Sequence, residues 1–196
     1  MESVMYEKFT DRARKVMQLA NQEAQRFNHD TVGVGHVLIA LIKEGGGVGA
    51  NVLKSMGIAD AMIKATRDAL VPGGDIVTLG KLPYTPGAAW VIDRTVQWAS
   101  DLKHDYIDTG HMLLALMDYT EGIPCGVAIH VGSTPKAIQD RVLEMIKNDM
   151  TPDKPRNVSS VIPVNAIGPI LLEIGEGKWV RFIDGRLLVR PGEMLS

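Results

Sequence analysis

The sequence predicts a mainly α-helical protein made of two tandem, pseudo-symmetric four-helix repeats, over about residues 5–72 and 82–147, followed by a small C-terminal β-hairpin or meander. Three observations lead there. Phe9-Thr10 reappears as Tyr84-Thr85, and Gly35-His36-Val37-Leu38-Ile39-Ala40-Leu41 reappears as Gly110-His111-Met112-Leu113-Leu114-Ala115-Leu116, both at an offset of 75 positions. Within each copy, apolar residues recur at steps of three and four, the spacing that lines one face of a helix. Beyond Ser160 the pattern changes to short β-rich runs broken by Gly-containing turns.

The first helix follows Thr10, a residue suited to accept from the free N–H groups of a helix start. Ala13, Val16, Met17, Ala20, Ala24 and Phe27 then define one apolar face, with Asp11, Arg14, Gln18, Asn21 and Gln25 opposite, giving an amphipathic helix of about 18 residues. A turn at Asn28-His29-Asp30 leads to a more apolar segment, Val37 to Ile42. Gly45-Gly46-Gly47 breaks it, a third short helix runs from Val48 to Met56, and Gly57 stops the chain before a fourth helix over Ala59 to Leu70. The offset carries the same plan from Thr85 to Ile146, pairing Gln22 with Gln97, Ala24 with Ala99, His29-Asp30 with His104-Asp105, Val52 with Val127 and Gly57 with Gly132 without a gap.

Val71 to Pro83 is rich in turn formers and reads as a linker between the copies, with Ile76 to Leu79 able to run extended. Lys147 to Ser160, with Pro152 and Pro155, reads as a second linker, so that a helical domain over 1–150 is followed by a linker and β-rich tail over 151–196. In the tail, strands are expected at Val161 to Val164, Ile170 to Ile174, Lys178 to Ile183 and Arg186 to Val189, with Asp184-Gly185 as a hairpin turn. So small a unit needs a partner surface, either the helical body or a second copy of itself in a homodimer.

Composition narrows the function. The 196 residues are 45% hydrophobic and 22% charged with a net charge of −2, which suits a protein with a sizeable core and gives no electrostatic reason to expect a nucleic-acid or membrane partner. The single Cys125 excludes an internal disulfide, the N-terminus lacks the apolar run of a secretory signal, and no stretch approaches the roughly 20 apolar residues of a membrane span. The expectation is a soluble, cytoplasmic protein without a cofactor.

Taken together, the aromatic-Thr pair opening the first helix, Gly33-Val34-Gly35-His36 and Thr109-Gly110-His111 before a Leu-rich helix, the breaks at Glu44-Gly45-Gly46-Gly47 and Glu121-Gly122, and the stops at Met56-Gly57 and Val131-Gly132 resemble the double N-terminal domain of Clp-type ATPase chaperones, especially ClpC. The likeness runs from about residue 5 to 147 and does not reach the tail. It implies a compact helical domain that receives substrate or adaptor proteins for an unfoldase. No Gly-x-x-x-x-Gly-Lys-Ser/Thr phosphate loop is present, so the chain reads as the recognition domain without its motor. Its expected partners are protein or peptide substrates, and Clp ATPase or protease subunits.

The resemblance also implies site residues. In ClpC-like domains each repeat can bind a phosphorylated arginine, with the Thr at the first helix start near the phosphate and a Glu just before the His facing the guanidinium. The matching residues are Thr10 and Thr85, placed where helix N–H groups favour an anion, and Gly35 and Gly110, where the carboxylate is missing in both copies. Phosphoarginine recognition is therefore expected to be weakened or lost, and Thr10 and Thr85 to serve chiefly as N-caps. His29, His36, His104 and His111 have no Cys or carboxylate spaced as a ligand set, so capping and packing roles are expected and no metal. Cys125, matched by Ala50, reads as a small buried position and not as a nucleophile with His130. The methionines read mostly as core, with any exposed ones suiting an adaptable peptide groove. In the tail, Lys178, Arg181, Arg186 and Arg190 alternate with Trp179 and Phe182, but the interspersed acids favour a solvated strand face over a nucleic-acid surface. With no convergent catalytic set, the expected activity is binding, either in the Clp system or as an independent peptide-binding module that dimerises through its tail.

Overall fold

In a computed structural model, residues 7–70, 80–120 and 122–147 are described in full, together with the backbone of 170–173, 179–183 and 186–188. Residues 71–79 of the linker expected at Val71 to Pro83, most of the second linker, the strand expected at Val161 to Val164 and the turn at Asp184-Gly185 lie outside the described residues.

Thr10 and Thr85 sit at the same point of the repeat and do the same work: each is extended, with its hydroxyl accepting from the backbone N–H three residues on, Ala13 and Ala88, both at 3.2 Å. They open α1 (Asp11–Arg26) and α5 (Pro86–Asp101), each ended by a turn. The remaining helices are α2 (Val34–Glu44), α3 (Val48–Ser55) and α4 (Ala59–Ala69) in the first repeat, and α6 (Thr109–Asp118), α7 (Ile123–His130) and α8 (Pro135–Lys147) in the second. Helix α2 begins three residues earlier than its apolar run, because His36 reaches back to accept from the Gly33 N–H at 2.9 Å and so caps a turn that apolar spacing does not reveal.

Helices α2 and α6 are apolar all round because they run through the middle. Every residue from Gly35 to Ile42 and from Thr109 to Met117 is buried, and Leu38, Leu41, Leu113, Leu114 and Leu116 have no exposed surface. Helices α1 and α5 flank them, each packing one apolar face against the central helix of its own repeat.

The repeats are interlocked. The segment entering α1 forms a parallel bridge with the turn before α6, Phe9 with Ile107, and the segment entering α5 bridges the turn before α2, Tyr84 with Val32. The bonds are Thr10 N–H to the Ile107 carbonyl (2.8 Å) and Ile107 N–H to that of Lys8 (2.7 Å), matched by Thr85 N–H to Val32 (3.0 Å) and Val32 N–H to Pro83 (2.8 Å). Helix α3 packs against α8, and α4 against α7, so the third helix of each repeat finds its main neighbour in the other copy. Apolar residues of both copies join one core.

Compactness divides the chain into two units, Met1–Arg156 and Asn157–Ser196. Within the second, β1 (Ile170–Glu173), β2 (Trp179–Ile183) and β3 (Arg186–Leu188) pair antiparallel in sequence order, with Ile170 opposite Phe182 and Ile183 opposite Arg186.

Candidate functional site

The reciprocal bridges decide which of the predicted site residues meet. Thr10 bonds to the turn that precedes Asp108, Thr109 and Gly110, while Thr85 bonds to the turn that precedes Gly33 and Gly35. A Cβ on Gly33 would lie 3.9 Å from the Thr85 methyl, and one on Gly87 would lie 3.2 Å from the Val34 side chain. Each candidate site is thus composite, with the Thr of one repeat bonded to the turn that leads into the central helix of the other. Comparison of motifs within one repeat hides this pairing, because sequence proximity and spatial proximity part at the crossover.

The two composite sites share a frame but differ in lining. Thr10 has no exposed surface, and Arg12, two residues on, bonds Glu44 at 2.9 Å (Nη1 to Oε1). Glu44 Oε2 in turn accepts from the Gly46 and Gly47 N–H groups, at 3.1 and 3.0 Å, so the carboxylate organises the Gly-rich turn while neutralising Arg12. At the matching positions, 87 and 119, the second repeat has Gly87 and Tyr119. Here the phenol occupies the space an Arg side chain would need: a Cβ at Gly87 would come within 2.6 Å of the Tyr119 hydroxyl. Trp90 lies against the Tyr119 ring, centroids 5.4 Å apart, and is 43% exposed. Pro86 further removes one N–H from this helix start. One site is therefore clasped by an ion pair and the other by an aromatic pair.

Gly35 and Gly110 are both buried. A Cβ at 35 would stand 3.1 Å from Leu70 and 3.4 Å from Ile123, and one at 110 would stand 3.1 Å from Val48. Leu70, just past the end of α4, and Ile123 of α7 close the first position and Val48 of α3 the second, so a carboxylate at either would displace an apolar contact. This closure comes from the partner helices and left no mark in the local motif.

The histidines form two matched pairs. His29 Nδ1 lies 2.8 Å from His36 Nε2, and His104 Nδ1 lies 2.8 Å from His111 Nε2. Gly33 N–H donates to His36 Nδ1 and Asp108 N–H to His111 Nδ1, at 2.9 and 3.0 Å. With Nδ1 accepting, Nε2 carries the proton and donates to the neighbouring ring. Burial, and next the charge of His29, lower the His36 pKa to about 4, and burial followed by His111 lowers that of His104. Among the described residues no group of three His, Cys, Asp or Glu side chains is arranged to hold a metal. Cys125 is buried on α7 with its thiol 3.2 Å from the Met117 carbonyl, and burial pushes its pKa up, the opposite of an activated nucleophile.

The family of the Clp repeat (R) N-terminal domain matches residues 8–125 and 84–160. The chain belongs to the Clp N-terminal domain family. It is 36% identical over 149 residues to the chloroplastic chaperone ClpC1 of Arabidopsis thaliana, and 37% identical over 142 residues to the chloroplastic ClpC of Pisum sativum, covering 75% and 72% of this chain. It spans only 16% and 15% of the length of those two relatives. The fold is that of the N-terminal domain of Arabidopsis thaliana ClpD (TM-score 0.60, 21% identity, 75% of this chain and 99% of that one) and of Candida albicans Hsp104 (TM-score 0.62, 18% identity, 71% and 91%). Among the described residues of this Clp-N chain, no single helix is long and apolar enough to cross a membrane.

Proposed function

We propose that this chain is a non-catalytic protein- and peptide-binding module that serves the Clp chaperone-protease system as an accessory or adaptor, presenting substrates or docking on an ATPase or protease ring. The observation behind this reading is that both Clp-N repeats are complete and locked together by reciprocal bridges. The residues inside them are spent on structure: the Thr hydroxyls cap helices, the histidines hold turns, and Cys125 is sealed in the core. What is left to act is surface, including the exposed Trp90 beside Tyr119.

Phosphoarginine binding is lost in this reading. A phosphorylated arginine needs an anion site and a carboxylate for its guanidinium, whereas Thr10 is wholly buried and Gly35 and Gly110 are walled in by Leu70, Ile123 and Val48. Calorimetric titration with a phosphoarginine peptide is expected to give no heat of binding; low-micromolar affinity refutes the point.

The 157–196 unit is read as a β-meander carrying a contact of its own. Affinity capture from extract of the source organism, comparing the full chain with a 1–156 truncation, tests both parts. Enrichment of Clp ATPase or protease subunits supports the adaptor role, and its loss on truncation assigns the contact to the meander. No enrichment, under conditions where an established Clp contact survives, sinks the adaptor role.

A further inference from the structure

The outward faces of α1 and α5 hold the same place in the two repeats and carry opposite charge. On α1 an exposed stripe consists of Lys15, Gln18, Gln22 and Arg26; the 75-residue offset puts Trp90, Asp93, Gln97 and Asp101 at those positions on α5, and every one of these residues is exposed. Steps of three and four keep each set on one side of its helix. Along this stripe α1 presents two cations and no acid, whereas α5 presents two carboxylates and no cation. Arg94, the basic residue of α5, is already engaged: its Nε bonds Asp118 at 2.6 Å and its guanidinium lies 5.0 Å from the Trp98 ring centre, with Asp101 at 4.0 Å. Asp93 has no ion pair among the described residues.

Trp90 is the fixed point of the α5 stripe. Its ring packs on Tyr119 with centroids 5.4 Å apart. Tyr119 is itself confined between two glycines, since a Cβ on Gly87 or on Gly122 would come within 2.6 or 2.2 Å of it. The indole is thus held by packing, yet 43% of Trp90 is open to solvent. An aromatic surface fixed in advance loses little freedom when a ligand lies on it. Its π-face attracts cations, and the planar guanidinium of arginine suits it best because it stacks and still offers N–H groups at its edge. Asp93 stands one turn along, with Cβ atoms at this spacing about 5–6 Å apart, so a guanidinium stacked on Trp90 can also donate to that carboxylate.

We propose that the Trp90–Asp93–Asp101 stripe binds arginine side chains in an extended segment of a partner protein. The segment's spacing follows from the helix. Asp93 and Asp101 are eight residues apart, about 12 Å along the axis, and four residues of extended chain cover about 13 Å while returning to the same face. Arginines at positions i and i+4 therefore reach both carboxylates, the first lying on Trp90. The same stripe on α1, with Lys15 in place of Trp90 and Arg26 in place of Asp101, repels such a segment, so the duplicated fold offers this site once.

The site rests on the reading of the chain as a peptide-binding module and names the chemistry of its ligand. It is tested by titrating the full chain, labelled with nitrogen-15, with the peptide acetyl-Gly-Arg-Thr-Thr-Thr-Arg-Gly-amide, and with the same peptide carrying citrulline, the neutral isostere of arginine, at both basic positions. The chain has three Trp residues, so Trp90→Phe assigns its indole N–H signal. A saturable shift of the Trp90 signal is expected, larger than that of the other two indoles, with the citrulline peptide at least about fivefold weaker and Asp93→Asn weakening the arginine peptide about two- to fivefold. Asp93 is exposed, so its replacement leaves the fold intact. Equal affinity for the arginine and citrulline peptides overturns the proposal, as does an Asp93→Asn chain that binds like the parent, or no shift up to about 5 mM peptide. A Trp90 signal that moves on dilution of the protein alone assigns the stripe to the α1 face of a second copy, and overturns it equally. A negative titration leaves the capture of Clp subunits to decide the adaptor role by itself.

Discussion

Asn28 and Lys103 hold the same place in the two repeats, one residue ahead of the first histidine of each pair, and both have left-handed backbone, with φ of 56° and 58°. Asn tolerates that conformation because its short side chain bonds locally; Lys has no such relief and carries a cost of about 1–2 kcal/mol. Lys103→Gly removes the Cβ conflict and, after the entropy glycine loses on folding, is expected to raise stability by about 0.5–1 kcal/mol. Chemical denaturation should show it as a higher midpoint with an unchanged slope. Gly49 makes the reverse case. Its N–H donates to Thr109 Oγ1 at 3.2 Å, and a Cβ there would sit 2.6 Å from the Thr109 carbonyl oxygen, so α3 can approach α6 only as glycine. Gly49→Ala is expected to cost about 1–3 kcal/mol, whereas Gly126→Ala, in α7 with nothing within 4 Å, should gain about 0.5–1 kcal/mol. Melting temperatures moving in opposite directions for these two single-methyl additions would separate close approach from helix propensity.

At the scale of elements, the repeats hold their helix pairs with inverted polarity. In the first, Glu23 of α1 pairs with Lys43 of α2. In the second, Trp98 stands at the place of Glu23 and Asp118 at that of Lys43, and the carboxylate becomes the acceptor for three side chains at once: Arg94 Nε and Trp98 Nε1 of α5 at 2.6 and 2.8 Å, and Gln139 Nε2 of α8 at 2.6 Å. Asp118→Ala takes the acceptor from the Trp98 indole N–H and leaves the Gln139 amide only its longer bond to the Leu114 carbonyl (3.3 Å), and is expected to cost about 1.5–3 kcal/mol in urea unfolding. A loss below about 0.5 kcal/mol would show that water replaces the carboxylate. Such hubs mark the limit of what was legible in the sequence. Periodicity with Thr10 and Thr85 located all eight described helices, since capping and apolar spacing are local properties. By the same offset Asp108 stands opposite Gly33 and Tyr119 opposite Glu44, and what those exchanges mean depends on what packs against them. Gly35 read as a lost carboxylate; only the placement of Leu70 and Ile123 shows that the position has become part of the core.

The whole molecule raises the question of whether a repeat is a folding unit. Its local signals are complete, yet its hydrogen bonds and packing are not. Without the second copy, the N–H groups of Thr10 and Val32 lose their carbonyl acceptors, α3 loses α8, and α4 loses α7. The buried faces of α2 and α6 also meet one another, so separating the copies would expose the most apolar surface in the chain. A duplication joined by reciprocal bridges behaves like an isologous dimer whose protomers share one chain, and such protomers are stable together and not apart. Fragments 1–80 and 81–156, prepared separately, are therefore expected to show no cooperative melt by circular dichroism. Mixed at equal concentration they should recover helicity and a single transition whose midpoint rises with concentration. A cooperative transition in either fragment alone would mean that the crossover serves orientation between two self-sufficient repeats, and the composite sites would then be docked surfaces instead of products of one fold.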